Sequence, residues 1–190
     1  MPDVIRVGGL LVATPLLEDP NFRRSVVLIV EHDGSGSTLG VVLNRPTEIE
    51  VTQVLPTWGG VVTGPSVVFQ GGPVQLDSAL GLASVRGDRE EPLGWRRLLG
   101  PPFRLGAVDL DAPPEVLAAE IVSMRVFAGY SGWSAGQLDS EIREGAWYVV
   151  DALPEDAFSG DPSRLWRDVL RRQGGELAFV ANCPDDPTLN

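Results

Sequence analysis

Residues 125–150 constrain the fold of this chain more than any other stretch, because nearly every position has a local structural assignment. The run reads Arg-Val-Phe-Ala-Gly-Tyr-Ser-Gly-Trp-Ser-Ala-Gly-Gln-Leu-Asp-Ser-Glu-Ile-Arg-Glu-Gly-Ala-Trp-Tyr-Val-Val. Ser134 and Gln137 have the spacing of a capping box, in which the hydroxyl accepts from the N3 amide and the Gln side chain reaches back to the cap. Trp133 and Leu138 flank that cap as a hydrophobic staple. Gly145 stands where a left-handed cap ends a helix. Together these signals predict a helix over residues 135–144. The apolar runs 124–128 and 146–150 predict strands on either side, so the unit reads strand, Gly-rich loop, short helix, strand.

Composition removes whole classes of function. All 15 basic residues are arginine. Without lysine there is no Walker A lysine, no pyridoxal phosphate Schiff base and no kinase-type lysine. One histidine (His32) and one cysteine (Cys183) are too few for a His/Cys zinc site within one chain, and no EF-hand spacing is present. No cofactor is expected and no metal-binding residues are assigned, while a carboxylate Mg²⁺ or Ca²⁺ site stays open. The net charge of −11 opposes general nucleic-acid binding, where phosphate contacts supply most of the affinity. No apolar run approaches a membrane span, and the first residues lack the pattern of a signal peptide. A single cysteine points to the cytoplasm, and the oligomeric state is left open.

A chain of 190 residues is most simply one domain with its own core. Residues 8–14 predict a strand stopped by Pro15, and residues 16–24 predict a loop. Run 25–31 is rich in Val and Ile without alternation, as in a strand buried on both faces, and the short Gly-containing link to the apolar run 38–43 predicts a hairpin. Pro46 ends the second of these strands. Residues 51–58 suggest two helical turns cut by Pro56. Strands are expected at 67–70, 79–85 and 104–110, while 95–99 is ambiguous. Asp111 with Pro113 and Pro114 predicts a helix reaching Ile121. Asp161 and Pro162 predict another, ending at Gln173 with Gly174 beyond it. Residues 177–181 suggest a last strand inside an acidic tail that begins near residue 175. The fold class is α/β (α+β-like): one domain with a mixed, partly barrel-like sheet surrounded by helices.

The segments also line up with a known family. Leu11-Val-Ala-Thr-Pro15, Asp19-Pro-Asn-Phe22, Arg24-Ser-Val-Val27, Glu31-His32, Leu43-Asn-Arg-Pro46 and Gly71-Gly-Pro-Val74 are similar, in order, to motifs of the bacterial YqgE/AlgH family. So are Phe127-Ala-Gly-Tyr-Ser-Gly-Trp133, Gly136-Gln-Leu138 and Glu141-Ile142. The resemblance covers about the first 150 residues. It implies an α/β domain with a small barrel-like sheet. The family carries a transcriptional-regulator label by association with alginate regulation, and no enzymatic activity is established for it.

Each candidate site residue has a functional and a structural reading. The turn at Gly129, Tyr130, Ser131, Gly132 and Trp133 offers amides for an anion, or packs its aromatics in the core. Ser131 lacks the second glycine of a nucleophile elbow, and His32 is the only imidazole base available to it. His32 otherwise serves as a structural hydrogen-bonder. Gln137 is a capping partner, whereas Glu141 has no visible local role and is the better functional candidate on that helix. Asn44 and Arg45 place an amide and a guanidinium at a strand end. There Arg45 can clamp a carboxylate or phosphate, or pair with Glu141. Gly71 and Gly72 permit either close approach by a ligand or a sharp turn. The expected cleft is thus Asn44, Arg45, Gly71, Gly72, Tyr130, Gly132 and Glu141, with His32, Ser131 and Gln137 held in reserve. The arginine strip at 164, 167, 171 and 172 reads as a solvated face. The favoured function is a non-enzymatic regulatory protein that binds a small molecule or a protein partner. The alternatives are an enzyme using Glu141 or His32 as base with Arg45 as anion clamp, and a nucleic-acid binder.

Overall fold

A computed structural model describes residues 4–87 and 90–186. The apolar runs become ten strands: β1 (Gly9–Ala13), β2 (Val26–His32), β3 (Thr38–Val42), β4 (Pro46–Glu50), β5 (Val67–Gln70), β6 (Val74–Val85), β7 (Trp95–Leu99), β8 (Leu105–Val108), β9 (Ile121–Trp133) and β10 (Trp147–Asp151). They form one sheet in the order β10-β1-β2-β3-β9-β6-β8-β7, with β4 joined to β5 and β5 joined to β9. All pairings are antiparallel except β5 with β9, which makes the sheet mixed. The sheet curls into a half-barrel with helices packed around it. The helices are α1 (Val51–Val54), α2 (Gln137–Arg143), α3 (Leu165–Gln173) and α4 (Gly175–Val180).

The strands of the predicted hairpin are β2 and β3, and the unbroken apolar run Val26–Val30 in β2 has a direct cause. Val26, Leu28 and Val30 face a core shared with α3, while Val27 and Ile29 face a second core under α2. Both faces are therefore dry. In the first core Trp166 and Val169 of α3 pack on Leu10, Val12 and Phe127. A third core, around Trp58, Trp95 and Met124, fills the β6–β8 end. All five tryptophans find an acceptor for the indole N–H: Trp58 on Leu110 O, Trp95 on Ala83 O, Trp166 on Ala13 O, and Trp133 and Trp147 on Glu141. Burying an indole without such a partner is costly.

Several expectations are corrected. Residues 129–133 are not a loop. They complete the 13-residue strand β9, held by pairing with β3 through Gly40↔Ser131 and Thr38↔Trp133. The following helix is shorter than predicted because Gly136 adopts φ +77° and α2 starts only at Gln137. Its end is as expected: Gly145 has φ +82°, with Gly145 N bonded to Ile142 O and Ala146 N to Glu141 O, a Schellman motif. The helix after Asp111 shrinks to one turn, Pro114–Val116, because β9 begins at Ile121 in register with Val85 of β6. Residues 46–50 form an additional strand, tolerated with a proline because it is an edge paired only to β5. Residues 95–99 are a strand against β8. Residues 177–181 are not a strand, since Gly175–Val180 is the helix α4, packed on α3.

Candidate functional site

The expected cleft residues separate into three places. At the first, the chain leaving β5 passes β9 so closely that only glycine fits. Gly71 N donates to Ala128 O, and Gly71 O accepts from Val42 N and from Ser131 Oγ at 3.1 Å. A Cβ on Gly72 would lie 2.1 Å from the Tyr130 carbonyl. The close approach anticipated for Gly71 and Gly72 is made here by another strand. Ser131 is fully buried in this crossing. Tyr130 packs against the first core, and Gly132 lies beneath Leu39.

At the second place, Glu141 is held by three donors. Trp133 Nε1 and Trp147 Nε1 both donate to Oε2 at 2.9 Å, and Gln137 Nε2 donates to Oε1 at 3.0 Å. Gln137 Oε1 in turn accepts from Ser134 N at 3.1 Å, half of the expected capping box. His32 and Ser131 have different partners: Ser131 Oγ donates to Gly71 O, whereas His32 Nδ1 pairs with Thr38 Oγ1 at 2.9 Å across the β2–β3 hairpin.

The third place is open. Asn44 Oδ1 accepts from Val26 N, and its Nδ2 donates to Arg24 O at 2.9 Å, fixing the residue at which the 15–24 loop enters β2. Arg24 sits there at φ +58°, a conformation non-glycine residues rarely adopt and one that clusters at functional sites. Arg45 reaches back under the same loop, donating to Pro20 O and Arg23 O. The Arg24 guanidinium lies over Trp166, 4.1 Å from the ring centroid. Around Arg23 and Arg24 open three adjoining cavities of about 410, 480 and 190 Å³. Arg45 lines two of them, and Asn44 and Arg167 line the smallest. Of the expected cleft residues, only Asn44 and Arg45 border this groove.

Its electrostatics are those of crowded cations. Burial lowers the Arg24 pKa, and Arg167 and Arg23 lower it further, with Asp185 acting in the opposite sense. Burial also lowers the Arg45 pKa. Such guanidiniums remain protonated at neutral pH, and their fork geometry suits carboxylate and phosphate oxygens. The carboxylates lining the cavities are Glu18 and Asp185. Among the described residues, no group of three or more His, Cys, Asp or Glu could hold a metal ion. No helix among them is long and apolar enough to cross a membrane.

The arginine strip of the last long helix is not one solvated face. Arg167 turns toward residues 181–185, Arg171 lies 3.9 Å from Asp168, and Arg172 forks onto Asp156 at 2.6 and 2.7 Å. Arg23 and Arg24 were not among the expected cleft residues, although they are two adjacent cations in a loop that leads into the buried apolar run Val26–Val30.

The family model described as AlgH-like matches residues 10–178. The chain belongs to the AlgH-like family. It is 59% identical over 186 residues to a UPF0301 protein of Streptomyces coelicolor, covering 96% of this chain and 94% of that one. A UPF0301 protein of Mycobacterium bovis is 50% identical over 188 residues, covering 98% and 91%. Among solved structures, a crystal structure of a Corynebacterium diphtheriae protein superposes with TM-score 0.89 at 35% identity, covering 96% and 94% of the two chains. The solution structure of the AlgH protein from Pseudomonas aeruginosa gives 0.65 at 27% identity, covering 92% of each. The AlgH-like match takes in Arg23, Arg24, Asn44, Arg45 and Arg167 but ends before Asp185.

Proposed function

We propose that this AlgH-like protein is a non-enzymatic, regulatory binding protein, acting as one domain in the cytoplasm. In this reading the groove around Arg23, Arg24 and Arg45 receives an anionic group of a ligand or partner. The observation that carries it is the concentration of guanidiniums around open cavities on a chain whose net charge is −11. Local positive potential on an acidic molecule selects small anions while the global charge repels polyanions such as nucleic acid.

Side chains suited to chemistry are committed elsewhere, which supports binding over catalysis. The Ser131 hydroxyl is buried on a backbone carbonyl, His32 is bonded to Thr38, and Glu141 is shared by two indoles. A general base needs a free acceptor facing its substrate.

Calorimetric titration of the full chain with a panel of phosphates, carboxylates and nucleotides tests the reading. Saturable binding is expected, weakened about tenfold in Arg23→Gln, as loss of one charge-assisted hydrogen bond implies. An unchanged far-UV spectrum would show that the variant is folded. No binding by any anion would overturn the reading.

A further inference from the structure

The groove already holds an anion, and it belongs to the chain itself. Residues 181–185 run past the arginines with their oxygen atoms turned onto them. Cys183 O accepts from Arg24 Nη2 and from Arg167 Nη1, both at 3.1 Å. Arg24 Nη2 also donates to Pro184 O, Arg23 Nη2 to Asp185 O, and Arg167 Nη1 to Ala181 O. Asp185 Oδ1 lies 2.9 Å from Arg167 Nη2 and 3.4 Å from Arg24 Nη1. Asp185 borders all three cavities, so its side chain divides what would otherwise be one larger groove.

Two features mark this carboxylate as a replaceable occupant. Its side chain is 84% exposed although it faces arginine side chains only 20% and 27% exposed, so the cations are built in and the anion is laid on top. Arg24 Nη1 is shut off from solvent yet makes no hydrogen bond among the described residues, leaving an unmet donor in front of a single carboxylate oxygen. A buried donor without an acceptor is unfavourable, and a ligand with more oxygens would satisfy it.

We infer that Arg23, Arg24, Arg45 and Arg167 form a site for a compact dianion, phosphate or a small dicarboxylate, which Asp185 occupies in the free protein and which the ligand opens by displacing residues 183–186. The inference rests on the proposed binding function and names its ligand class and its internal competitor. The exposed ion pairs of the Asp185 carboxylate add only a factor of about five to the hold that the arginine bonds to the 181–185 carbonyls provide. An occupant of that strength lowers the apparent affinity of a ligand by the same factor.

Cys183 supplies the reporter, because it is the chain's one thiol and lies inside the segment. The experiment titrates the full chain with inorganic phosphate, and separately with succinate, at low ionic strength. Binding is followed by calorimetry, and release of the segment by the rate at which a neutral maleimide labels Cys183. Three results are expected. At least one of the two anions speeds labelling of the wild type. Asp185→Asn labels faster than the wild type without ligand. That variant also binds the same anion about fivefold tighter. Comparing phosphate with succinate assigns the ligand to the phosphate or the carboxylate source. If an anion binds wild type and Asp185→Asn equally and labelling does not change, the displacement is wrong while the binding groove stands. If neither anion binds either protein, the dianion site is wrong; should larger anions bind all the same, the broader function survives.

Discussion

Trp133 and Trp147 cross edge to face, ring centroids 5.9 Å apart at 82°, and each indole N–H ends 2.9 Å from the same oxygen, Glu141 Oε2. One carboxylate thereby ties the end of β9 and the start of β10 to α2, the helix between them. Phe22 completes the cluster, 6.0 Å from Trp133 and 5.6 Å from Trp147. Phe22 belongs to the loop that carries Arg23 and Arg24, so the aromatic cluster also anchors one wall of the arginine groove. The position of this carboxylate is thus explained by what it supports.

Removing Glu141 leaves two buried indole donors unmet. Glu141→Ala is expected to lower stability by about 3 kcal/mol, and Glu141→Gln, which keeps a carbonyl acceptor, by about 1 kcal/mol. Urea unfolding followed by tryptophan fluorescence measures both. If Glu141→Ala unfolds like wild type but loses ligand binding, the residue is functional and the structural assignment fails.

Arg172 and Asp156 form a two-point fork in which the acid is 4% exposed and the arginine 28%. Asp156 Oδ2 also accepts from Leu153 N, fixing the chain as it leaves β10. The burial asymmetry predicts an asymmetry in cost. Arg172→Ala strands a buried carboxylate and should cost about 4 kcal/mol, whereas Asp156→Ala leaves a cation that water can reach and should cost about 2 kcal/mol. Thermal or denaturant unfolding of both variants checks the order; equal costs would refute it.

Much of this architecture was legible in the sequence, and the failures share a cause. The β2–β3 hairpin, the apolar run of β2 and the Gly145 stop are written in residues a few positions apart, where local rules act. Residues 129–133 read as a loop because three of the five are Gly or Ser, yet strand pairing with β3 overrides that composition. Residues 175–180 read as tail and strand because nothing local signals that α3 provides a partner for a second helix. The same limit applies to the site. Asn44 and Arg45 were visible as a pair, but the arginines at 23, 24 and 167 meet only through contacts spanning well over a hundred residues, such as Trp166 on Ala13.

The β2–β3 turn should carry an acid-sensitive contribution. Asp33 Oδ1 accepts from Ser35 Oγ at 2.6 Å, Ser35 N at 2.9 Å and Ser37 N at 3.1 Å. The Ser35 hydroxyl foremost, then these amides, hold its pKa below the ordinary 3.8. A lowered carboxylate pKa means that the unfolded chain binds the proton more readily. The stabilisation is therefore complete above pH 3.8 and is lost as pH falls through the lower folded value. Relative to Asp33→Asn, the wild type should show a small stability advantage at neutral pH that disappears in this acid window. A difference that stays constant across the window would rule out the linkage.

The β5–β9 crossing gives the sharpest separation between a structural glycine and a ligand-facing one. A Cβ at Gly72 would meet the Tyr130 carbonyl carbon and oxygen at 2.1 Å and Ser131 Oγ at 2.4 Å, and backbone cannot swing aside as a side chain can. Gly72→Ala is expected to cost about 3 kcal/mol, the range of an overpacked core. Gly60 has nothing within 4 Å of the same added atom, so Gly60→Ala should change stability by no more than about 0.5 kcal/mol. Paired denaturant curves decide the matter. A Gly72→Ala protein as stable as wild type but unable to bind anions would return this crossing to the site, whereas the expected loss of stability makes it a place where two strands need bare backbone to meet.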